Sequence, residues 1–122
     1  MSAEKMEIRG DILPAAFVSD PARRVEIART ILSQLPEWFG IPAATEGYIT
    51  DAAHEPCFVC EKDGAPVGFL CLKETGRSTV ELAVMGVLKP CHRKGYGRAL
   101  VDAAVAYARQ TGYEFMQVKT VQ

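Results

Sequence analysis

The chain has 122 residues, 48% of them in the hydrophobic set and 24% charged, and a formal net charge of -1. That is the composition of a single domain over residues 1–122, long enough to form a core without a disulfide framework or a metal. It argues against a nucleic-acid partner, which selects a basic excess, and against a membrane protein, since no run approaches the roughly 20 apolar residues of a span and the first residues lack the apolar core of a secretory signal. A reducing cytoplasm is the expected setting.

In chain order, Met6 to Leu13 is predicted as a first strand ended by Pro14. Asp20-Pro21 opens a helix, with aspartate as N-cap and proline at the first helical position, and Val25, Ile27, Ala28, Ile31, Leu32 and Leu35 give it an apolar face until Pro36. Pro36 to Pro42 is a loop carrying Trp38 and Phe39, which either pack on the helix or line a pocket. Ala43 to Ala52 is predicted as a second, weaker helix. Pro56 to Cys60 and Pro66 to Leu72 are two strands joined by a turn at Asp63-Gly64, and Thr79 to Leu88 is a third, following Gly76-Arg77-Ser78. Gly86 inside that run points to a bulge or a close backbone approach. From Tyr96 to Thr111 a stripe of Leu100, Ala103, Ala104, Tyr107 and Ala108 predicts a helix that lies close to a sheet, capped by Gly112. Tyr113 to Val121 is the last strand. This order indicates an α+β domain whose final strand is delivered parallel to its neighbour by a crossover helix.

The most informative stretch runs from Val87, Leu88 and Lys89 through His92-Arg93-Lys94-Gly95-Tyr96-Gly97 to Arg98. Two glycines let the backbone approach a ligand closely, the helix they open offers unpaired N–H groups and a positive dipole end, and Arg93, Lys94 and Arg98 add charge. A phosphate-bearing ligand fits such a loop. A dinucleotide fingerprint would need a third glycine or alanine where Leu100 stands and an acidic residue after the next strand; a Walker loop would need Gly-Lys-Ser/Thr. Neither is present.

The pattern resembles the acetyl-coenzyme A site of the GNAT superfamily of N-acetyltransferases. Its signature, Gln/Arg-x-x-Gly-x-Gly/Ala, is matched by His92 to Gly97 except at the first position, and Val87 stands eight residues before Gly95 as the family's strand valine does. The order of elements agrees over nearly the whole chain. The resemblance implies a mixed sheet in which the strand ending at Leu88 is bulged and splays from the last strand. It further implies pyrophosphate bound by main-chain N–H groups from Arg93 to Arg98, and a pantetheine arm paired with the main chain near Val87 and Lys89. The tetrahedral oxyanion would be stabilised by N–H groups on the bulged strand.

Glu81 lies fourteen residues before Gly95, where the histone-acetylating branch of that family places its general base. An ammonium must lose a proton before its nitrogen attacks a thioester, and a carboxylate in a partly apolar cleft suits the task; the other reading is a carboxylate on a solvated sheet face. Cys57 and Cys60 stand three apart in a strand and point to opposite faces, so they and Cys71 are expected as buried apolar groups, while Cys91 beside the cationic loop could act as a nucleophile. His54 and His92 lack a companion at ligand spacing, so no metal is expected. The resemblance also implies a further helix and hairpin after the last strand, absent here; the domain is then either a short form or one that pairs its exposed C-terminal strand with a second copy in a homodimer. The expected activity is transfer of acetyl from acetyl-coenzyme A to a primary amine on a small molecule or peptide, the alternative being a non-catalytic coenzyme A-binding module.

Overall fold

A computed structural model describes residues 14–37 and 39–118. Helix α1, Pro21–Leu32, starts as its caps dictate: the Asp20 side chain accepts the Ala22 N–H at 3.1 Å, and Ile27, Ala28, Ile31 and Leu32 form its buried face. It ends before Pro36 because the chain tightens there, with Gln34 N–H donating to Ile31 O and Leu35 N–H to Leu32 O. Helix α2, Pro42–Asp51, runs on into a single 3-10 turn at Ala52–His54. Arg29 holds both carboxylate oxygens of Glu46 at 3.0 and 2.9 Å, which ties α1 to α2.

The strands are β1, Ala16–Val18; β2, Cys57–Lys62; β3, Ala65–Gly76; β4, Thr79–Val87; and β5, Phe115–Val118. The predicted strand from Met6 to Leu13 lies outside the described residues. The strand that opens the sheet is Ala16–Val18, antiparallel to β2 with Ala16 opposite Val59, a stretch for which no strand is predicted. Asp63 and Gly64, at φ 55° and 82°, make the β2 to β3 turn, which places both central residues in the left-handed region. Helix α3, Tyr96–Gln110, then crosses the sheet and returns the chain through Gly112 at φ 94° to β5, parallel to β4. Strand order is β1-β2-β3-β4-β5, and the mixed α+β sheet predicted from the sequence is the one observed.

Each face of the sheet has its own core. On one, Ile27, Ile31 and Leu35 meet Phe69, Cys71 and Val84. On the other, Leu100, Ala104 and Ala108 of α3 meet Leu70, Leu72 and Val80, the small residues letting the helix approach as expected. Cys57 and Cys60 face opposite cores. The reading of Cys57 and Cys71 as unlinked thiols needs correction, however. They are register partners across β2 and β3, with Cα atoms 4.3 Å apart, and form a disulfide. Their separation of 14 residues in sequence hides a juxtaposition that only the hairpin register creates.

The β3 to β4 register shifts between Cys71 opposite Val84 and Leu72 opposite Leu82, leaving Ala83 as an extra residue on β4. The bulge is thus at Ala83. Gly86 serves the other purpose anticipated for it, close approach: a Cβ there would lie 3.1 Å from Leu35 Cδ1 and 3.3 Å from Ile31 Cγ2. Gly68 does the same for α3, since a Cβ would meet Leu100 Cδ1 at 3.2 Å and Val87 Cγ2 at 3.3 Å. Replacing Gly68 by Ala is therefore expected to cost about 1–2 kcal/mol through overpacking, and Leu100→Ala about 2–5 kcal/mol through the cavity it leaves. Because the two side chains compete for one space, the double variant should lose less than the sum in urea unfolding; strict additivity would mean that α3 does not press on β3 at this point.

Candidate active site

Beyond β4 the chain makes a 3-10 turn, Lys89–Cys91, set by Pro90 and closed by Cys91 N–H to Leu88 O at 2.8 Å and His92 N–H to Lys89 O at 3.1 Å. This turn buries the Cys91 side chain against the α3-side core, where it also lines the cavity beside Arg93 and Gly97. Arg93 at φ 64° and Gly95 at φ 91° then reverse the chain into α3. Gly95 is the N-cap and brings no side-chain cap; the first bond inside the helix is Ala99 N–H to Gly95 O at 3.0 Å. The main-chain N–H groups of Tyr96, Gly97 and Arg98 are the donors that helix geometry leaves over, at the positive end of the dipole. A Cβ on Gly97 would meet nothing within 4 Å, so no protein neighbour demands glycine there and the space above it is open to a ligand.

Of the nine predicted binding residues, which follow the chain from the end of β4 into the first turn of α3, Val87, Arg93 and Gly97 line a cavity. Arg93, Lys94 and Arg98 are exposed, with Asp102 3.7 Å from Arg98 Nε. Lys89 forms an ion pair with Glu37 from the segment after α1. Tyr96 offers only its main chain, because its side chain is buried among Cys60, Leu100 and their neighbours. Val87 lines the approach along the strand while Leu88 packs against both cores, and the His92 ring nitrogen Nε2 lies 2.6 Å from Val87 O.

Three cavities follow β4 from the loop to the bulge. The first, about 390 Å³, lies between Val87, His92, Arg93 and Gly97. A second, about 280 Å³, shares Val87 and His92 and continues to Gly86, Leu35 and Phe39. Phe39 therefore satisfies both readings open from the sequence: it packs on the α1-side core, edge-on to Tyr48 at 6.1 Å, and it lines a pocket. Trp38 lies outside the described residues. The third cavity, about 300 Å³, opens at Ala83 and is walled by Tyr48, Asp51, Glu55, Lys73 and Glu81.

Glu81 is half-buried on the α2 side of the sheet, opposite Lys73 on β3 and Gln117 on β5, and so faces a cavity instead of bulk solvent. Its companion Glu55 is a functional candidate that sequence reasoning missed. Burial, reinforced by the neighbouring Asp51 carboxylate and opposed by Lys73, pushes the Glu55 carboxyl up to about 7. A signal for it existed in the i, i+4 repetition of acidic residues at Asp51 and Glu55, which brings like charges together at a helix end. Glu55 also lines a fourth cavity of about 350 Å³ with His54, Lys73, Glu74 and Tyr113. No group of His, Cys, Asp and Glu capable of holding a metal occurs among the described residues.

The model of the acetyltransferase (GNAT) family matches residues 17–122. No curated protein matches the chain. Among solved structures, an aminoglycoside acetyltransferase from an uncultured soil metagenomic sample, in complex with sisomicin, superposes with a TM-score of 0.70 at 15% identity, covering 94% of this chain and 81% of that one. The ribosomal-protein-alanine N-acetyltransferase of Brucella melitensis gives 0.69 at 15% identity, over 88% and 79% of the two chains. The aminoglycoside N-acetyltransferase AAC(6')-Iy in complex with CoA gives 0.67 at 19% identity, over 88% and 76%. At these identities the structures speak for the fold; the family match, which takes in β1, the bulged β4, the glycine loop and α3, carries the assignment, and by it the chain belongs to the acetyltransferase (GNAT) family.

Proposed function

We propose that the domain transfers acetyl from acetyl-coenzyme A to a primary amine by direct attack, with no covalent acetyl-enzyme. The observation that carries this reading is the uncapped α3 N-terminus with open space over Gly97, joined by one strand to an acidic cavity. Structural neighbours with bound CoA and with bound sisomicin support the two halves of the proposal in turn. When bound, the coenzyme supplies an acyl group activated as a thioester.

The chain's own residues supply the rest. Main-chain N–H groups of Tyr96, Gly97 and Arg98 hold a pyrophosphate, with Arg93, Lys94 and the Arg98 guanidinium adding charge around it. The edges of Val87 and Lys89 hold an extended arm. The bulge at Ala83 takes a peptide group out of the β3 ladder, and such a group can donate to an acyl oxygen that gains negative charge. Asp51, Glu55 and Glu81 against Lys73 leave the far cavity net negative near neutral pH, which favours an acceptor that arrives as an ammonium. Glu81 takes one proton from that ammonium, and the lone pair of the neutral nitrogen attacks the thioester carbonyl. The carbon–sulfur bond breaks, coenzyme A leaves as the thiolate, and the further proton that the nitrogen sheds neutralises it.

Calorimetry with acetyl-coenzyme A followed by thiol release across a panel of amines tests the proposal. Binding with release supports the enzyme; binding without release for any amine would leave a coenzyme-binding module, and absence of binding would sink both. Gly97→Val should weaken coenzyme A at least tenfold, since its side chain extends into the space over the loop, while the melting temperature stays close to that of the parent because an added Cβ has no protein atom within 4 Å.

Glu81→Gln should lower the rate at neutral pH by roughly 10²–10⁴ and less at high pH, where free amine is already present; an unchanged pH-rate profile removes Glu81 from the mechanism. Glu55 makes a separate, thermodynamic prediction. Its folded-state pKa is raised to about 7 from 4.5, so ionising it opposes folding: stability is greatest at low pH, declines between about 4.5 and 7, and levels off above. Glu55→Gln is accordingly expected to be the more stable protein at pH 8, on the order of 1 kcal/mol once solvent contact is allowed for, with the difference shrinking toward pH 4.

A further inference from the structure

The β3 to β4 ladder fixes the direction in which the main chain of Val87 faces. Leu88 N–H donates to Val67 O at 2.9 Å, and Gly68 stands opposite Val87. In an antiparallel ladder, pairs that exchange hydrogen bonds alternate with pairs that exchange none. Val87 N–H and C=O therefore turn away from β3, toward the side on which β5 lies. The described part of β5 pairs with β4 only from Thr79 to Leu82. Val87 O consequently faces the continuation of that edge, where an extended ligand chain can add to the strand.

That acceptor is already engaged. His92 Nε2 lies 2.6 Å from Val87 O, and because a carbonyl oxygen only accepts, Nε2 carries the proton and donates. The same ring lines both the cavity of Arg93 and Gly97 and the cavity of Gly86 and Phe39, which share Met85 and Val87 as well. It stands at their boundary. His92 is exposed, so its side chain can rotate away without opening either core.

We infer that His92 is a latch on the ligand edge of β4. In the closed form its imidazole takes the Val87 carbonyl and divides the groove; an amide-bearing arm enters only when the ring swings out, whereupon its N–H replaces the imidazole N–H and the two cavities become one channel from the loop to Gly86 and Phe39. The inference rests on the coenzyme A reading above. Its consequence is selective: part of the binding energy of an arm-bearing ligand goes into opening the latch, while a ligand confined to the α3 N-terminus leaves the latch shut.

The test compares coenzyme A with ADP, which has the pyrophosphate and no arm. By calorimetry His92→Ala should bind coenzyme A about three- to tenfold more tightly than the parent, the range one broken hydrogen bond allows, with ADP affinity unchanged. In the parent protein, imidazole nitrogen NMR should show a protonated, hydrogen-bonded Nε2 that is lost on adding coenzyme A and kept on adding ADP; this second measurement decides the matter should the variant fail to fold. Equal or weaker binding of coenzyme A by His92→Ala, a parallel change for ADP, or an imidazole signal indifferent to coenzyme A would each overturn the latch and leave the coenzyme reading standing. If the parent binds no coenzyme A at all, the ligand reading falls and the latch falls with it.

Discussion

The single extra residue in β4 is the constraint on which the rest of the molecule depends. Side chains of a strand alternate between faces, and Val80 and Leu82 accordingly point to the α3-side core. Without a bulge Val84 and Gly86 would follow them. Ala83 breaks the alternation, so Val84 instead enters the α1-side core and Gly86 lies against Ile31 and Leu35. One strand thereby serves both layers in succession. A one-residue slip in β4 would expose one of these sets, which is why the register is strongly specified here.

The same residue organises the cavities. Before the bulge, Glu81 faces the α2 side among carboxylates; after it, Val87 packs against the α3-side core while its peptide groups face the open edge. The strand then leads into α3 through a turn with no side-chain cap. A helix start at Gly95, φ 91°, forgoes the side-chain bond that serine or aspartate makes at an extended N-cap, because that backbone conformation suits glycine. What it keeps is a set of N–H donors at the positive end of the helix dipole. Of the three α-helices among the described residues only α1 has a side-chain cap, from Asp20; α2 starts at Ile41 and α3 at Gly95 without one, and the α3 start is the one that adjoins the proposed ligand groove.

Legibility in the sequence followed how local each signal was. The Asp20 cap, the Asp63-Gly64 turn, the Gly112 reversal and the alanine stripe of α3 are written in contiguous residues, and each appears in the structure where expected. The glycine loop was legible for the same reason. Strand β1 escaped because three residues are too few to show a period. A bulge in this strand was expected, from Gly86 and from the resemblance, but its position at Ala83 escaped because it is a relation between two strands and alanine carries no mark of one. The Cys57 to Cys71 disulfide and the meeting of Glu55 with Glu81 are relations of the same kind, created by register and by the way α2 abuts the sheet.

Segregation of charge follows from this layout and refines what a net charge of -1 means. The cations Arg93, Lys94 and Arg98 ring one end of the groove, and Asp51, Glu55 and Glu81 wall the other. Val87 and Ala83, which mark the two ends, are four residues apart on β4, roughly 13 Å along a strand. That exceeds the Debye length of about 8 Å at physiological ionic strength, so each end presents its own sign to solvent with little cancellation by the other. An anion and an ammonium can therefore be drawn to opposite ends of one groove by a chain that is nearly neutral as a whole. The two ends also respond differently to pH: the guanidinium groups stay charged throughout, while Glu55, poised at about 7, changes the charge of the acidic end alone. Acidification therefore reduces the negative charge of the acidic end, which is the change that the proposed ammonium acceptor would sense.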